Sequence, residues 1–158
     1  MDQETAIYLS VIVPAYNEAK RIERTLARLD EYLQRQSYSY EILVVVDNAT
    51  DDTADIVRQL ESTIPHLRLL WRDVNYGKGG SVVRGMAEAK GEIRLFTDAD
   101  NSTDITHFEK MKPLFDEGYD VVAGWRFNRK DSFAKRTFSK IANSYRQLLI
   151  KDPIHDSG

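Results

Sequence analysis

Apolar residues along this chain fall into two alternating patterns. Unbroken runs rich in β-branched and aromatic residues occupy residues 8–13, 42–46, 67–71, 93–97 and 119–123, the signature of strands covered on both faces. Between them the apolar positions recur at helical spacing. Ile22, Leu26, Leu29 and Leu33 make one face, Ile56, Val57, Leu60 and Ile64 a second, and Val82, Val83 and Met86 a third, as amphipathic helices require. Phe138, Ile141, Ala142, Tyr145, Leu148 and Leu149 repeat the pattern near the end. Strand and helix alternating from end to end predict an α/β fold, a three-layer sandwich with a mainly parallel central sheet flanked by helices. No repeat, linker or low-complexity tract interrupts it, and 158 residues predict a single domain over 1–158.

Composition narrows the class. With 42% hydrophobic residues the chain can bury a proper core. No apolar stretch approaches the roughly 18 residues of a membrane span, and the first five residues lack the basic start of a signal peptide. There is no cysteine, hence neither a disulfide framework nor thiolate chemistry, and His66, His107 and His155 are too scattered for a zinc site. Charge is lopsided. Residues 1–125 hold 14 Lys/Arg against 22 Asp/Glu, a net of −8, whereas residues 126–151 hold eight Lys/Arg against Asp131 alone. That basic segment suits either a phosphate-bearing ligand or an anionic membrane surface.

In a parallel sheet the loops at the carboxyl ends of the strands share one edge, so motifs far apart in sequence converge there. Val13-Pro14-Ala15-Tyr16-Asn17-Glu18 closes the first strand, with Pro14 ending it and Asn17 placed to cap the next helix. Tyr16 and the Ala15 backbone can wall a pocket for a flat base, with Glu18 as an acceptor. Asp47 stands at the second strand tip, and Asp51 and Asp52 suit the first turn of the helix after it. Asn75-Tyr76-Gly77-Lys78-Gly79-Gly80-Ser81 allows close backbone approach to a ligand but lacks the spacing of a nucleotide triphosphatase loop. Gly124-Trp125-Arg126 brings a planar cationic fork to the same edge. Finally, Leu95-Phe96-Thr97-Asp98-Ala99-Asp100 sets two carboxylates one residue apart where a strand meets a loop. Hard oxygen donors so placed suit Mg²⁺ or Mn²⁺ shared with a diphosphate.

Taken in order, these motifs resemble those of family 2 glycosyltransferases with the A-type, Rossmann-like nucleotide-sugar fold. More narrowly, the chain resembles the branch that makes polyprenyl or dolichyl phosphate hexoses. The Gly-Lys-Gly-Gly run and the Asp-Ala-Asp followed by Ser102-Thr103 look most like the dolichyl-phosphate glucosyltransferases. The resemblance implies that Pro14, Ala15, Tyr16, Glu18, Asp47, Lys78 and Asp98 hold the nucleotide sugar, and that Asp98, Asp100 and Ser102 surround the metal. It implies Asp100 and Arg126 as catalytic residues, although Trp125 stands where the family usually has Ser. Residues 152–158 resemble the start of a family loop in which Asp precedes Ser-Gly-Phe, so a longer, C-terminally truncated catalytic domain is expected.

The chemistry implied is inverting, metal-dependent transfer of a hexose, UDP-glucose being the favoured donor, to a polyprenyl or dolichyl phosphate. A phosphate monoester already carries about −1.5 to −2 charges, so no general base is demanded. The expected cofactor is Mg²⁺ or Mn²⁺, and the expected location is cytoplasmic, peripheral or anchored at the cytosolic face of a membrane through a part outside this chain. No nucleic-acid partner is expected. The alternatives are a family 2 enzyme acting on a polysaccharide or other acceptor, a GDP-mannose donor, and a non-catalytic nucleotide-sugar binding module.

Overall fold

The structure is a computed structural model that describes residues 6–124. Four strands, β1 (Leu9–Ala15), β2 (Tyr40–Asp47), β3 (Leu67–Arg72) and β4 (Ile93–Phe96), alternate with helices α1 (Ile22–Leu33), α2 (Thr53–Leu60) and α3 (Gly77–Glu88). A 3₁₀ turn at Ile105–His107 then leads into α4 (Phe108–Asp116). The strands pair in the order β3-β2-β1-β4, every pair parallel.

The sheet is covered on both faces, which is why its strands read as continuous apolar runs. On one face Leu9, Val11, Val13, Ile42, Val44 and Val46 meet Ile22, Leu26, Leu29 and Leu33 of α1, Val57 of α2 and Phe108 of α4. On the other, Ile12, Leu43 and Val45 meet Ala89 and Met86 at the C-terminal end of α3. The odd and even positions of β1 thus serve opposite layers, as the period of two demands.

Three expectations are corrected. The run 119–123 contains no strand, because a strand exists only where a neighbour supplies its ladder and none does so among the described residues. Val83 is 69% exposed: α3 approaches the sheet along the small-residue stripe Ser81, Gly85 and Ala89, which turns Val83 outward. Asn17 does not cap α1, whose first turn carries no side-chain cap. It adopts a left-handed conformation with φ 54° and accepts a hydrogen bond from the Thr50 N–H at 2.8 Å. The apolar repeat Phe138–Leu149 lies outside the described residues, as do the other basic positions from Arg126 to Lys151.

Candidate functional site

The chain goes outward from β1 through β2 to β3, then returns across the sheet to place β4 on the other side of β1. Where such a reversal occurs, the loops leaving adjacent strands diverge and open a crevice at their carboxyl ends. A cleft of about 400 Å³ lies there. It is lined by Pro14, Ala15, Tyr16 and Glu18 after β1, by Asp47 at the tip of β2, and by Asp98, Ala99 and Asp100 after β4. Asn75, Gly77, Lys78 and Ser81 complete it from the start of α3.

The loop after β1 forms one wall, with Tyr16 half exposed. Two contacts from the next loop hold it: the Glu18 N–H donates to the Thr53 hydroxyl at 2.8 Å, and the Ala19 N–H to Asp51 at 3.1 Å. Asp51 also receives the N–H and hydroxyl of Thr53, so it, not Asp52, does the side-chain capping of α2. Burial pushes the Asp51 carboxyl up, but these bonds outweigh it and hold the group below the usual carboxylate value. Glu18 pairs with Arg21 at 2.7 Å.

Deeper in the cleft Asp47 is only 2% exposed. One carboxylate oxygen accepts the Tyr76 N–H at 2.9 Å, and the other lies 3.4 Å from Nε of Arg72. That second oxygen, and Nη1 of Arg72, are buried without a hydrogen-bond partner in the protein. Unsatisfied buried groups cost about 1–3 kcal/mol each. The Arg72 guanidinium lies 4.3 Å above the Tyr76 ring, and a Cβ on Gly80 would come within 2.6 Å of the Tyr76 Cβ, so only glycine permits this packing. Arg72 carried a signal the sequence reading passed over: as the last residue of β3 it falls at the same edge, in register with Asp47.

The third part is electrostatic. The first turn of α3 directs its positive dipole end to the cleft, and Gly77, with φ +72°, makes the turn into it while its N–H donates to the Asn75 side-chain oxygen at 2.7 Å. Lys78 reaches from that turn to Asp98, Nζ to Oδ1 2.5 Å. Both partners are partly solvated, so this pair is worth no more than about 1 kcal/mol and exchanges when a stronger ligand competes. Asp100 accepts the Ser102 N–H at 2.9 Å. Ser102 is exposed and does not line the cleft; it supports Asp100 through its backbone.

The N-terminal turn of α3 thus adjoins two carboxylates in one cleft. No group of three or more Asp, Glu, His or Cys residues suited to caging a metal exists among the described residues. The donor set nevertheless fits a divalent cation that completes its shell with diphosphate oxygens and water, as Mg²⁺ does. Arg126 lies outside the described residues. No helix among them is long and apolar enough to cross a membrane.

Comparison with known proteins agrees with this geometry. The domain described as glycosyl transferase family 2 matches residues 10–157. A dolichyl-phosphate beta-glucosyltransferase of Trichomonas vaginalis is 36% identical over 156 residues, covering 91% of this chain and 48% of that protein. An undecaprenyl-phosphate 4-deoxy-4-formamido-L-arabinose transferase of Pseudomonas savastanoi pv. phaseolicola is 31% identical over 138 residues, 86% of this chain and 41% of its own. Among solved structures, a mannosyltransferase from Pyrobaculum calidifontis in complex with GDP-Man and Mn²⁺ superposes with a TM-score of 0.53 at 35% identity. That likeness covers 61% of this chain and 28% of the mannosyltransferase. The chain spans less than half the length of these curated relatives.

Proposed function

We propose a reaction for this chain, which belongs to glycosyl transferase family 2: transfer of a hexose, with inversion, from a nucleotide sugar to a polyprenyl or dolichyl phosphate, UDP-glucose being the favoured donor. One observation carries the reading. A single cleft at the reversal of strand order gathers Ala15 and Tyr16, the N-terminal turn of α3 and the carboxylates of Asp98 and Asp100. The dolichyl-phosphate glucosyltransferase relatives support the acceptor and the sugar.

In this scheme Tyr16 and the Ala15 backbone wall the base, while Asp47 offers it an acceptor. An oxygen of the lipid phosphate attacks the anomeric carbon. The bond from that carbon to the diphosphate breaks, and its electron pair leaves with the nucleoside diphosphate. Lys78 and the first turn of α3 stabilise the leaving charge, preorganised in a cleft that excludes part of the solvent. Asp98 and Asp100 would hold Mg²⁺ or Mn²⁺, which supplies Lewis-acid stabilisation of the departing diphosphate. Arg126 is proposed to add a bidentate contact to the phosphates, and the basic residues after it to draw the protein to an anionic membrane surface.

The decisive experiment presents dolichyl phosphate with UDP-glucose, UDP-N-acetylglucosamine and GDP-mannose, each with Mn²⁺ or chelator. Sugar entering the lipid phase from UDP-glucose, and only with metal, is the expected result. Preference for GDP-mannose would transfer the donor assignment. Binding without transfer to any acceptor would leave a nucleotide-sugar binding module.

A further inference from the structure

We propose that Thr25 is the positioning residue of the aspartate turn, acting through the carbonyl that lies between Asp98 and Asp100. The proposal rests on the donor reading of the cleft. Thr25 sits in the fourth position of α1 and is 2% exposed. A helical threonine commonly turns its hydroxyl onto a carbonyl of its own preceding turn. This one instead donates to the Ala99 carbonyl at 2.7 Å, across 74 positions of sequence.

The placement of Ala99 makes that bond consequential. Its methyl is packed in the core against the α1 face, while the residues on either side of it line the cleft. Directly after β4 the Thr97 N–H still bonds to the Ile12 carbonyl at 2.9 Å. Four residues later, Asn101 is left-handed at φ 55° and its N–H returns to the Asp98 carbonyl. The chain thus leaves the sheet and reverses within four residues, with Ala99 at the centre. A buried carbonyl needs a partner, and Thr25 supplies it from another element. Moving this carbonyl by an ångström would move both carboxylates together.

Thr25 also links the two halves of the cleft. Its own N–H bonds to the Arg21 carbonyl, and the Arg21 N–H to that of Glu18, so the hydroxyl sits one turn from the loop that walls the base. The distance between the base wall and the diphosphate side is therefore set through α1. Sequence inspection has no means of finding this, since a threonine among Ile22, Leu26 and Leu29 reads as helix packing.

The test uses Thr25→Val, which keeps the shape and removes the hydroxyl, and Thr25→Ser, which keeps the hydroxyl, in the intact protein. Mn²⁺ is titrated calorimetrically with UDP present, the Mn²⁺ EPR spectrum is recorded, and amide hydrogen exchange is followed over residues 97–102 without ligand. Loss of a supporting contact of this kind typically costs about 10- to 100-fold in metal affinity. Thr25→Val is expected to show that loss, an altered EPR spectrum and faster exchange confined to the turn, with Thr25→Ser near the parent. Parent-like affinity and exchange in Thr25→Val, or an equal loss in both variants, would overturn the proposal. If the parent itself binds neither UDP nor Mn²⁺, the donor reading fails separately, and unchanged exchange in Thr25→Val would still refute the anchoring role.

Discussion

Two glycines of α3, given the same substitution, should respond with opposite signs. At Gly85 the helix lies directly on the sheet: an added Cβ would stand 2.3 Å from Cγ2 of Ile12, 3.1 Å from its Cγ1 and 3.2 Å from Cγ2 of Val45. Both neighbours are fully buried on the central strands, and carbon atoms in contact prefer about 3.5–4.0 Å. Either Ile12 leaves its rotamer or α3 lifts by more than an ångström. Overpacking of that kind costs about 1–3 kcal/mol, and so severe an overlap belongs near the top of the range. The better helix propensity of alanine returns about 1 kcal/mol, leaving Gly85→Ala destabilised by roughly 2 kcal/mol and melting about 4–8 °C lower on the usual size scaling. Gly79 has nothing within 4 Å of its Cβ position and no left-handed φ. Gly79→Ala should therefore gain about 0.5–1 kcal/mol and melt a few degrees higher. Thermal unfolding followed by circular dichroism decides both. Lifting α3 also withdraws Lys78, so Gly85→Ala should bind UDP more weakly as judged by calorimetry. A Gly85→Ala melting point at or above that of the parent would refute the claim that close approach through this glycine sets the height of α3.

Asp100→Asn retains an oxygen for the Ser102 N–H and lies outside the core, so it should abolish Mn²⁺-dependent UDP binding with the melting temperature nearly unchanged; metal dependence persisting in the folded variant would count against the carboxylate as a ligand. Asp51 is held below its ordinary value in the folded state, so its contribution is present above about pH 4 and lost as pH falls through the folded value. Asp51→Ala should cost about 1 kcal/mol at neutral pH, as lost caps do, and flatten the acid limb of stability measured by urea unfolding from pH 7 to 3. At the other end of the pH range, burial and the 2.5 Å hydrogen bond to Glu109 hold the Tyr32 phenol well above its usual value. Its stabilisation is complete below about pH 10 and declines as pH rises beyond it, so Tyr32→Phe should have a shallower alkaline limb in melts at pH 9, 10 and 11.

The order of elements through β4 was legible because both kinds of pattern are local. Strands such as β2, covered on two faces, must be apolar at every step, and α1 must repeat its apolar positions every three to four residues to keep Ile22, Leu26, Leu29 and Leu33 on one side. The motifs at the strand ends were legible for a related reason: a parallel sheet sends every carboxyl end to one edge, so Pro14, Ala15, Tyr16, Glu18, Asp47, Lys78, Asp98 and Asp100 were bound to share it, and they line one cleft. What tertiary structure alone decided depends on partners distant in sequence. The run 119–123 has strand composition, yet a strand needs a neighbouring ladder. Val83 follows the helical period, yet Gly85 chooses the face of α3 that meets the sheet. Asn17 has the chemistry of a cap but finds Thr50 first, and Arg72 and Thr25 gain their meaning only from strand order and from a hydroxyl crossing to Ala99. Periodicity records which side of an element avoids water; it carries no information about which other element covers that side, and here that choice sets how Asp47 is buried and where the aspartate turn is held.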